Sequence, residues 1–200
     1  MEQRLKQILA QRQKYHVTDG TRVPSAVLIP IFVKDGEYHI LFTKRTERVR
    51  DHKGQISFPG GACETKDATP FNTALRESTE EIGLQCDSVQ LLGELDDTIT
   101  SSSPYVIYPF VATIPWPQPI KADPVEVDEV FWAPISALLS QNAATQSRQV
   151  IDGQMVETYT YEYDGKVIWG ATARILNQLL GIWAEVASVP ATSRQSRDVL

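Results

Sequence analysis

Cysteine is nearly absent from this chain of 200 residues: Cys63 and Cys86 are the only two. They stand at no zinc-like spacing and show no repeating partner pattern, so neither a disulfide framework nor a metal–thiolate cluster is indicated. Long apolar runs are missing too. No stretch approaches the roughly 20 consecutive apolar residues that span a bilayer, and the opening MEQRLKQILAQRQK is charged rather than secretory. A soluble, cytoplasmic protein with no membrane partner is the expectation. Positive charge is in deficit, with 19 Lys and Arg against 25 Asp and Glu, a formal net charge of −6. Nucleic-acid binding rests on many cationic contacts to phosphates, so no nucleic-acid partner is expected. There is no internal repeat, and no Gly-x-Ser-x-Gly elbow makes a nucleophile of Ser57, Ser101, Ser102 or Ser103. His16, His39 and His52 read as strand, loop or surface residues.

What is present suits one globular domain with a sizeable core, at 42% hydrophobic and 22% charged residues. Leu5, Ile8 and Leu9 predict a short amphipathic helix within Gln3 to Lys14, in a lead-in covering residues 1–20. The main domain is expected at 21–187 and a frayed tail at 188–200. The runs RVPSAVLIPIFV and YHILFTK flank Asp35-Gly36, a hairpin signal. A short strand before Phe58 is closed by Pro59, Gly60 and Gly61. Thr69 and Pro70 predict a helix start and Gly83 its end. Further strands are expected at Val89 to Glu94, Val106 to Ile114, Val130 to Trp132 and Tyr159 to Tyr163. Asp164-Gly165 turns into another at Lys166 to Trp169, and a last helix spans Ala171 to Val186. Pro115, Pro117, Pro119 and Pro124 mark an irregular surface loop. Strands, a central helix, more strands and a final helix give an α+β layer architecture.

Two local features carry chemistry. Lys44, Arg45, Arg48, Arg50 and Lys53 form a basic island on an acidic chain, better suited to a small polyanion than to a polymer. Glu77, Glu80 and Glu81 stand at i, i+3 and i+4, placing three carboxylates on one helix face while Phe71, Leu75 and Ile82 line the other. Like charges at this spacing repel, and a hard divalent cation such as Mg²⁺ or Mn²⁺ would offset the repulsion. Arg76 is placed to orient a carboxylate or to meet a phosphate oxygen. Gly60 and Gly61 leave room for a diphosphate to approach or for a carbonyl to reach the ion.

The segment from Gly61 to Leu84 resembles a Nudix box. After Gly61 come five residues, then Asp67, eight more, and Arg76-Glu77-Ser78-Thr79-Glu80-Glu81-Ile82-Gly83-Leu84. It departs from the common pattern in three places: Asp67 replaces glutamate, the spacer is one residue longer, and Ser78 stands where an aliphatic is usual, at the edge of the packing face. The first two departures resemble the coenzyme A pyrophosphatase branch of the family. That branch also carries an upstream signature, matched here by Leu41-Phe42-Thr43-Lys44-Arg45-Thr46, Arg50, Gly54 and Phe58-Pro59-Gly60-Gly61 with every spacing kept. Phe42 replaces a Leu, and Thr46 replaces a Ser while retaining its hydroxyl. The similarity extends from about Pro24 to Leu180.

The resemblance implies a Nudix-type α/β/α sandwich with a mixed β-sheet and a metal-dependent pyrophosphohydrolase. Its substrate would be a small nucleotide, coenzyme A or its thioesters, cleaved to adenosine 3′,5′-bisphosphate and 4′-phosphopantetheine. Glu77, Glu81, Glu80 and the Gly61 carbonyl would hold Mg²⁺ or Mn²⁺. Glu80, Glu77 and Arg76 would serve catalysis, with Glu80 a further ligand or a base, and Arg45, Arg50, Phe58 and Gly60 would meet the substrate. A separate base is sought among Glu94, Asp96, Asp97, Glu126 and Glu129. Competing readings are a Nudix enzyme acting on another nucleotide diphosphate such as ADP-ribose, a non-catalytic nucleotide-binding regulator with the same fold, and an interaction module presenting the last helix. Whether the chain acts as a monomer or a homodimer stays open.

Overall fold

Strand β1 (Val23–Lys34) is almost continuously buried, because both faces of the sheet it centres are covered. The computed structural model describes residues 1–47, 53–101, 103–140, 143–151 and 154–188. The elements, in chain order, are α1 (Glu2–Gln11), β1, β2 (Glu37–Arg45), β3 (Ile56–Ser57), β4 (Gly60–Ala62), α2 (Pro70–Ile82), β5 (Gln90–Glu94) and β6 (Thr98–Ile99). There follow β7 (Tyr105–Thr113), β8 (Val127–Pro134), α3 (Ile135–Leu138), β9 (Ala144–Ile151), β10 (Gln154–Tyr163), β11 (Lys166–Ile168) and α4 (Gly170–Ser188).

The main sheet runs β3-β2-β1-β7-β5, with β4 also on β1, β6 on β7 and β8 on β2. It is mixed: β1 and β7 are parallel, with Leu28 opposite Phe110, whereas β1 and β2 form the antiparallel hairpin expected at Asp35-Gly36. Both turn residues are left-handed, φ 52° and 80°, as a tight hairpin turn requires. A second, antiparallel sheet has the order β11-β10-β9.

Alternation along β1 sorts the core into two layers. Ala26, Leu28 and Phe32 pack with Ala74 and Ile82 of α2. Ile29 and Ile31 face the other way, with Leu5 and Leu9 of α1 and Leu176, Leu179 and Trp183 of α4. The fold is thus the expected α/β/α sandwich, and the last helix is core.

Several bounds differ from expectation. Helix α1 stops at Gln11 rather than Lys14, since Tyr15 and Val17 donate their N–H groups to Asp96 and Asp97. Strand β9 was not foreseen, and β10 begins five residues before Tyr159. The proline loop is irregular and lies on the surface as expected, with all four prolines exposed, but it is anchored: Trp116 stacks on Phe32 at 4.2 Å, and Lys121 and Asp123 donate N–H groups to the Ile82 and Glu81 carbonyls. It caps the end of α2. Arg48, Arg50 and His52, and the tail beyond Ser188, lie outside the described residues. Among the described residues no helix is long and apolar enough to cross a membrane.

Candidate active site

Helix α2 is fixed at both ends by the residues its sequence promises. The Thr69 side chain accepts from the Asn72 N–H, Pro70 opens the first turn, and Gly83 closes the helix in the left-handed region at φ 66°. The helix buries Thr73, Ala74, Ser78 and Ile82. Ser78, expected at the edge of this face, is fully buried, and its hydroxyl is satisfied by the Ala74 carbonyl at 2.6 Å.

The three glutamates are graded in depth. The Glu80 side chain is 56% exposed, Glu77 16% and Glu81 only 3%. Arg76 binds the two shallower ones. Its Nη1 donates to Glu77 at 2.7 Å and to Glu80 at 2.9 Å, while Nε and Nη2 grip both oxygens of Asp67 at 3.0 Å, and Nη2 also reaches the Ala62 carbonyl. Asp67 accepts besides from the Thr73 hydroxyl and the Glu64 N–H. These hydrogen bonds hold its carboxyl well below the usual carboxylate range. The aspartate that replaces the common glutamate therefore anchors the arginine, and the longer spacer brings it there.

Glu81 is the deepest acid. Burial pushes its pKa up to about 8; Arg45 and the Gly60 N–H pull it back, and Glu77 and Glu126 push it further up. Arg45 Nη1 lies 3.4 Å from one carboxylate oxygen, and the Gly60 N–H donates to the other at 3.2 Å. Close approach to the backbone of β1 requires glycine at position 60, whereas Gly61 meets only the movable end of the Glu77 side chain. A Cβ on Gly60 would stand 2.2 Å from the Ala26 carbonyl, and one on Gly61 would stand 2.4 Å from the Glu77 carboxyl carbon. Gly60 is bare toward β1, and Gly61 toward the Glu77 carboxyl of α2. Phe58 is 2% exposed and stacked on Phe42, so it is a core residue, and it also lines the neighbouring cavity.

The NUDIX domain model matches residues 22–154. The chain belongs to the Nudix family. It is 37% identical over 155 residues, 78% of this chain and 82% of the other, to an uncharacterized Nudix hydrolase, NudL, of Photorhabdus laumondii. Among solved structures the fold resembles a MutT/nudix family protein of Enterococcus faecalis, at TM-score 0.56 and 14% identity over 92% of this chain and 68% of that one. It also resembles the Nudix hydrolase RenU of M. smegmatis, at TM-score 0.53 and 15% identity over 86% and 91%. The protein is a Nudix hydrolase, and hydrolases of this family use divalent ions such as Mg²⁺ or Mn²⁺.

The Nudix helix offers a donor set that fits such an ion: hard carboxylate oxygens, crowded on one face and, for Glu77 and Glu81, largely withdrawn from water. Burial also raises Glu77 above its ordinary value, and the charges of Glu80 and Glu126 add to that rise. Among the described residues, however, no three acids yet converge on one ion-sized point. Arg76 Nη1 is shared by Glu77 and Glu80, and Glu81 is turned to Arg45 and Gly60. To hold an ion, these carboxylates would have to exchange such partners for it.

Of the later acids, four are engaged elsewhere. Glu94 and Asp97 pair with Lys14, Asp96 with Arg12, and Glu129 with Lys166. Glu126 alone of the five acts electrostatically on both Glu77 and Glu81. The upstream signature places it: the Thr46 hydroxyl donates to the Val125 carbonyl at 2.7 Å and the Thr46 N–H to the Glu126 carbonyl at 2.9 Å. The retained hydroxyl is thus a clamp on the Glu126 loop. No local pattern marks this, because the two partners are 79 residues apart.

Beside the Nudix helix, on the α4 side of the sheet, lies a cavity of about 550 Å³ whose lining includes Arg45, Gly60, Gly61, Tyr159, Trp169 and Arg174. That volume suits a small organic ligand. Sequence reasoning missed the last three, since nothing local links β10 and α4 to the signature.

Proposed function

We propose that this Nudix hydrolase cleaves the diphosphate linkage of coenzyme A or its thioesters, giving adenosine 3′,5′-bisphosphate and 4′-phosphopantetheine or its acyl derivative. The observation that carries the reading is that the coenzyme A signature and the Nudix box meet on one carboxylate. Arg45 and Gly60 from the signature both bond Glu81. A segment held against that carboxylate supports a role for the signature at the group being cleaved.

In this reading Glu77 and Glu81 hold the Mg²⁺ or Mn²⁺, with Glu80 and the Gly61 carbonyl as further ligands. The ion supplies charge neutralisation on the diphosphate and acidifies water in the site. Arg45, and Arg50 outside the described residues, orient the diphosphate oxygens for in-line attack. Glu80 or Glu126 accepts the proton of the attacking water. Arg76 acts through the carboxylates it grips.

The test is incubation with coenzyme A, ADP-ribose and a nucleoside triphosphate in parallel, with Mg²⁺, Mn²⁺ or chelator, and mass analysis of products. Metal-dependent release of 4′-phosphopantetheine is expected, falling by about 10²–10³-fold in Glu81→Gln. Cleavage of ADP-ribose alone would overturn the coenzyme A reading and leave the metal-site reading standing.

A further inference from the structure

Two arginines line the 550 Å³ cavity, and each carries a buried guanidinium nitrogen, Nε, that has no hydrogen-bond partner among the described residues. For Arg45 the cause is evident, since it stands beside Glu81 where the diphosphate is read to lie. Arg174 is different. It sits in the first turns of α4, and its Nη2 donates to the Ile99 carbonyl, but no carboxylate pairs with it among the described residues. Burial strips its hydration and pulls it below the ordinary arginine value. A cation left partly dry and unpaired on a cavity wall is offset when a ligand brings an anion.

The wall around Arg174 narrows the choice of ligand. Tyr159 and Trp169 are the aromatic residues of that wall, and Trp169 is half exposed. Gly170, Ala171 and Thr172 open the 19-residue helix α4 on the same wall, where the helix dipole favours negative charge. A cation beside aromatic rings matches a nucleotide carrying a phosphate besides its diphosphate. It does not match pantetheine, which has neither charge nor ring.

We propose that Arg174, with Tyr159 and Trp169, forms a specificity subsite for the base and the ribose 3′-phosphate of the nucleotide half. The same cavity then selects a 3′-phosphorylated nucleotide and presents its diphosphate to Arg45 and the Nudix helix. The inference rests on the coenzyme A reading above and deepens it.

Arg174→Gln, Arg174→Lys and the wild type are compared on coenzyme A and on 3′-dephospho-coenzyme A with Mg²⁺ or Mn²⁺. In Arg174→Gln the KM for coenzyme A should rise about tenfold or more, with the KM for the dephospho form within about twofold of wild type. Arg174→Lys, which keeps the charge, should recover part of the loss. Equal effects on both substrates would mean that Arg174 merely supports β6 through Ile99, and the proposal falls. If the wild type cleaves neither substrate, the coenzyme A reading falls and calorimetry with adenosine 3′,5′-bisphosphate and adenosine 5′-monophosphate decides the subsite. Tighter binding of the bisphosphate, lost in Arg174→Gln, upholds it; equal affinity for the two nucleotides overturns it.

Discussion

Arg76 and Arg45 both reach the acidic face of α2, yet their surroundings are opposite. Arg76 is closed: Asp67, Glu77, Glu80 and the Ala62 carbonyl take its donors, and its side chain is 15% exposed. Arg45 is open: it makes one 3.4 Å contact to Glu81, its Nε lacks a partner among the described residues, and it borders the cavity. A guanidinium whose fork is filled by protein serves architecture, because a ligand would have to break hydrogen bonds to reach it. A guanidinium with a spare donor at a cavity is available to a substrate. The resemblance assigns Arg76 to the catalytic helix and Arg45 to the substrate, and their partners give that division a physical form.

The sharpest break in this contrast is Arg76→Ala. It strands Asp67 and leaves Glu77 and Glu80 without the cation they share, so both stability and activity should suffer. We expect a Tm lowered by roughly 5–10 °C and kcat reduced by about 100-fold or more, measured by thermal denaturation and steady-state kinetics. Arg45→Ala should separate the two effects. Glu81, pushed up to about 8 by burial even with Arg45 present, is already largely protonated at neutral pH and needs no cation beside it, which limits the cost to the fold. Activity should fall about 10–100-fold in kcat/KM with little change in Tm. Equal losses of Tm in the two variants would erase the distinction.

Much of this architecture is legible in sequence because it is local. Thr69-Pro70 and Gly83 bound α2, and Asp35-Gly36 and Asp164-Gly165 turn their hairpins with the left-handed geometry such pairs adopt. What is not legible is depth and distance. The i, i+3, i+4 spacing puts three glutamates on one face, but it says nothing of how far Glu81 sinks beneath Arg45 and Gly60. Ser78 reads as marginal yet lies at the centre of the packing face, since a back-bonded hydroxyl is nearly as acceptable there as an alkyl group. Strand β9, ATQSRQVI, is largely polar and exposed where described, so no alternation announces it. Asp67, a one-letter departure from a motif, gains its meaning only when the chain brings it back onto Arg76.

The open side of the comparison depends on the loop that carries Glu126, and Thr46 holds that loop. Thr46→Val keeps the shape and removes the donor to the Val125 carbonyl. The loss should be about 1 kcal/mol, or roughly 2–4 °C in Tm for a chain of this size, with a drop of about tenfold in kcat if Glu126 is displaced. Thr46→Ser keeps the hydroxyl and should retain wild-type behaviour. Should both variants behave as wild type, the Thr46 N–H and the Asp123 contacts hold the loop without the hydroxyl.

The smallest effect belongs to the closed side and lies in acid. Asp67→Asn keeps an acceptor for Arg76 and loses only the negative charge, so at neutral pH it should cost less than truncating the arginine. Its pH dependence carries the information. Hydrogen bonds from Arg76, the Glu64 N–H and Thr73 hold Asp67 below its unfolded value of 3.8. Because the folded pKa is the lower one, the folded state favours the charged form. The resulting stability is fully present above about pH 4 and is lost as the pH falls through the folded value. The Tm gap between wild type and Asp67→Asn should therefore stay constant from neutrality down to about pH 4 and narrow below it. Arg76→Gln should remove the same acid dependence, since the grip on Asp67 is mutual. A gap that holds its width through that acid range would mean that Asp67 anchors Arg76 by geometry alone, with its charge contributing nothing to the closed arrangement.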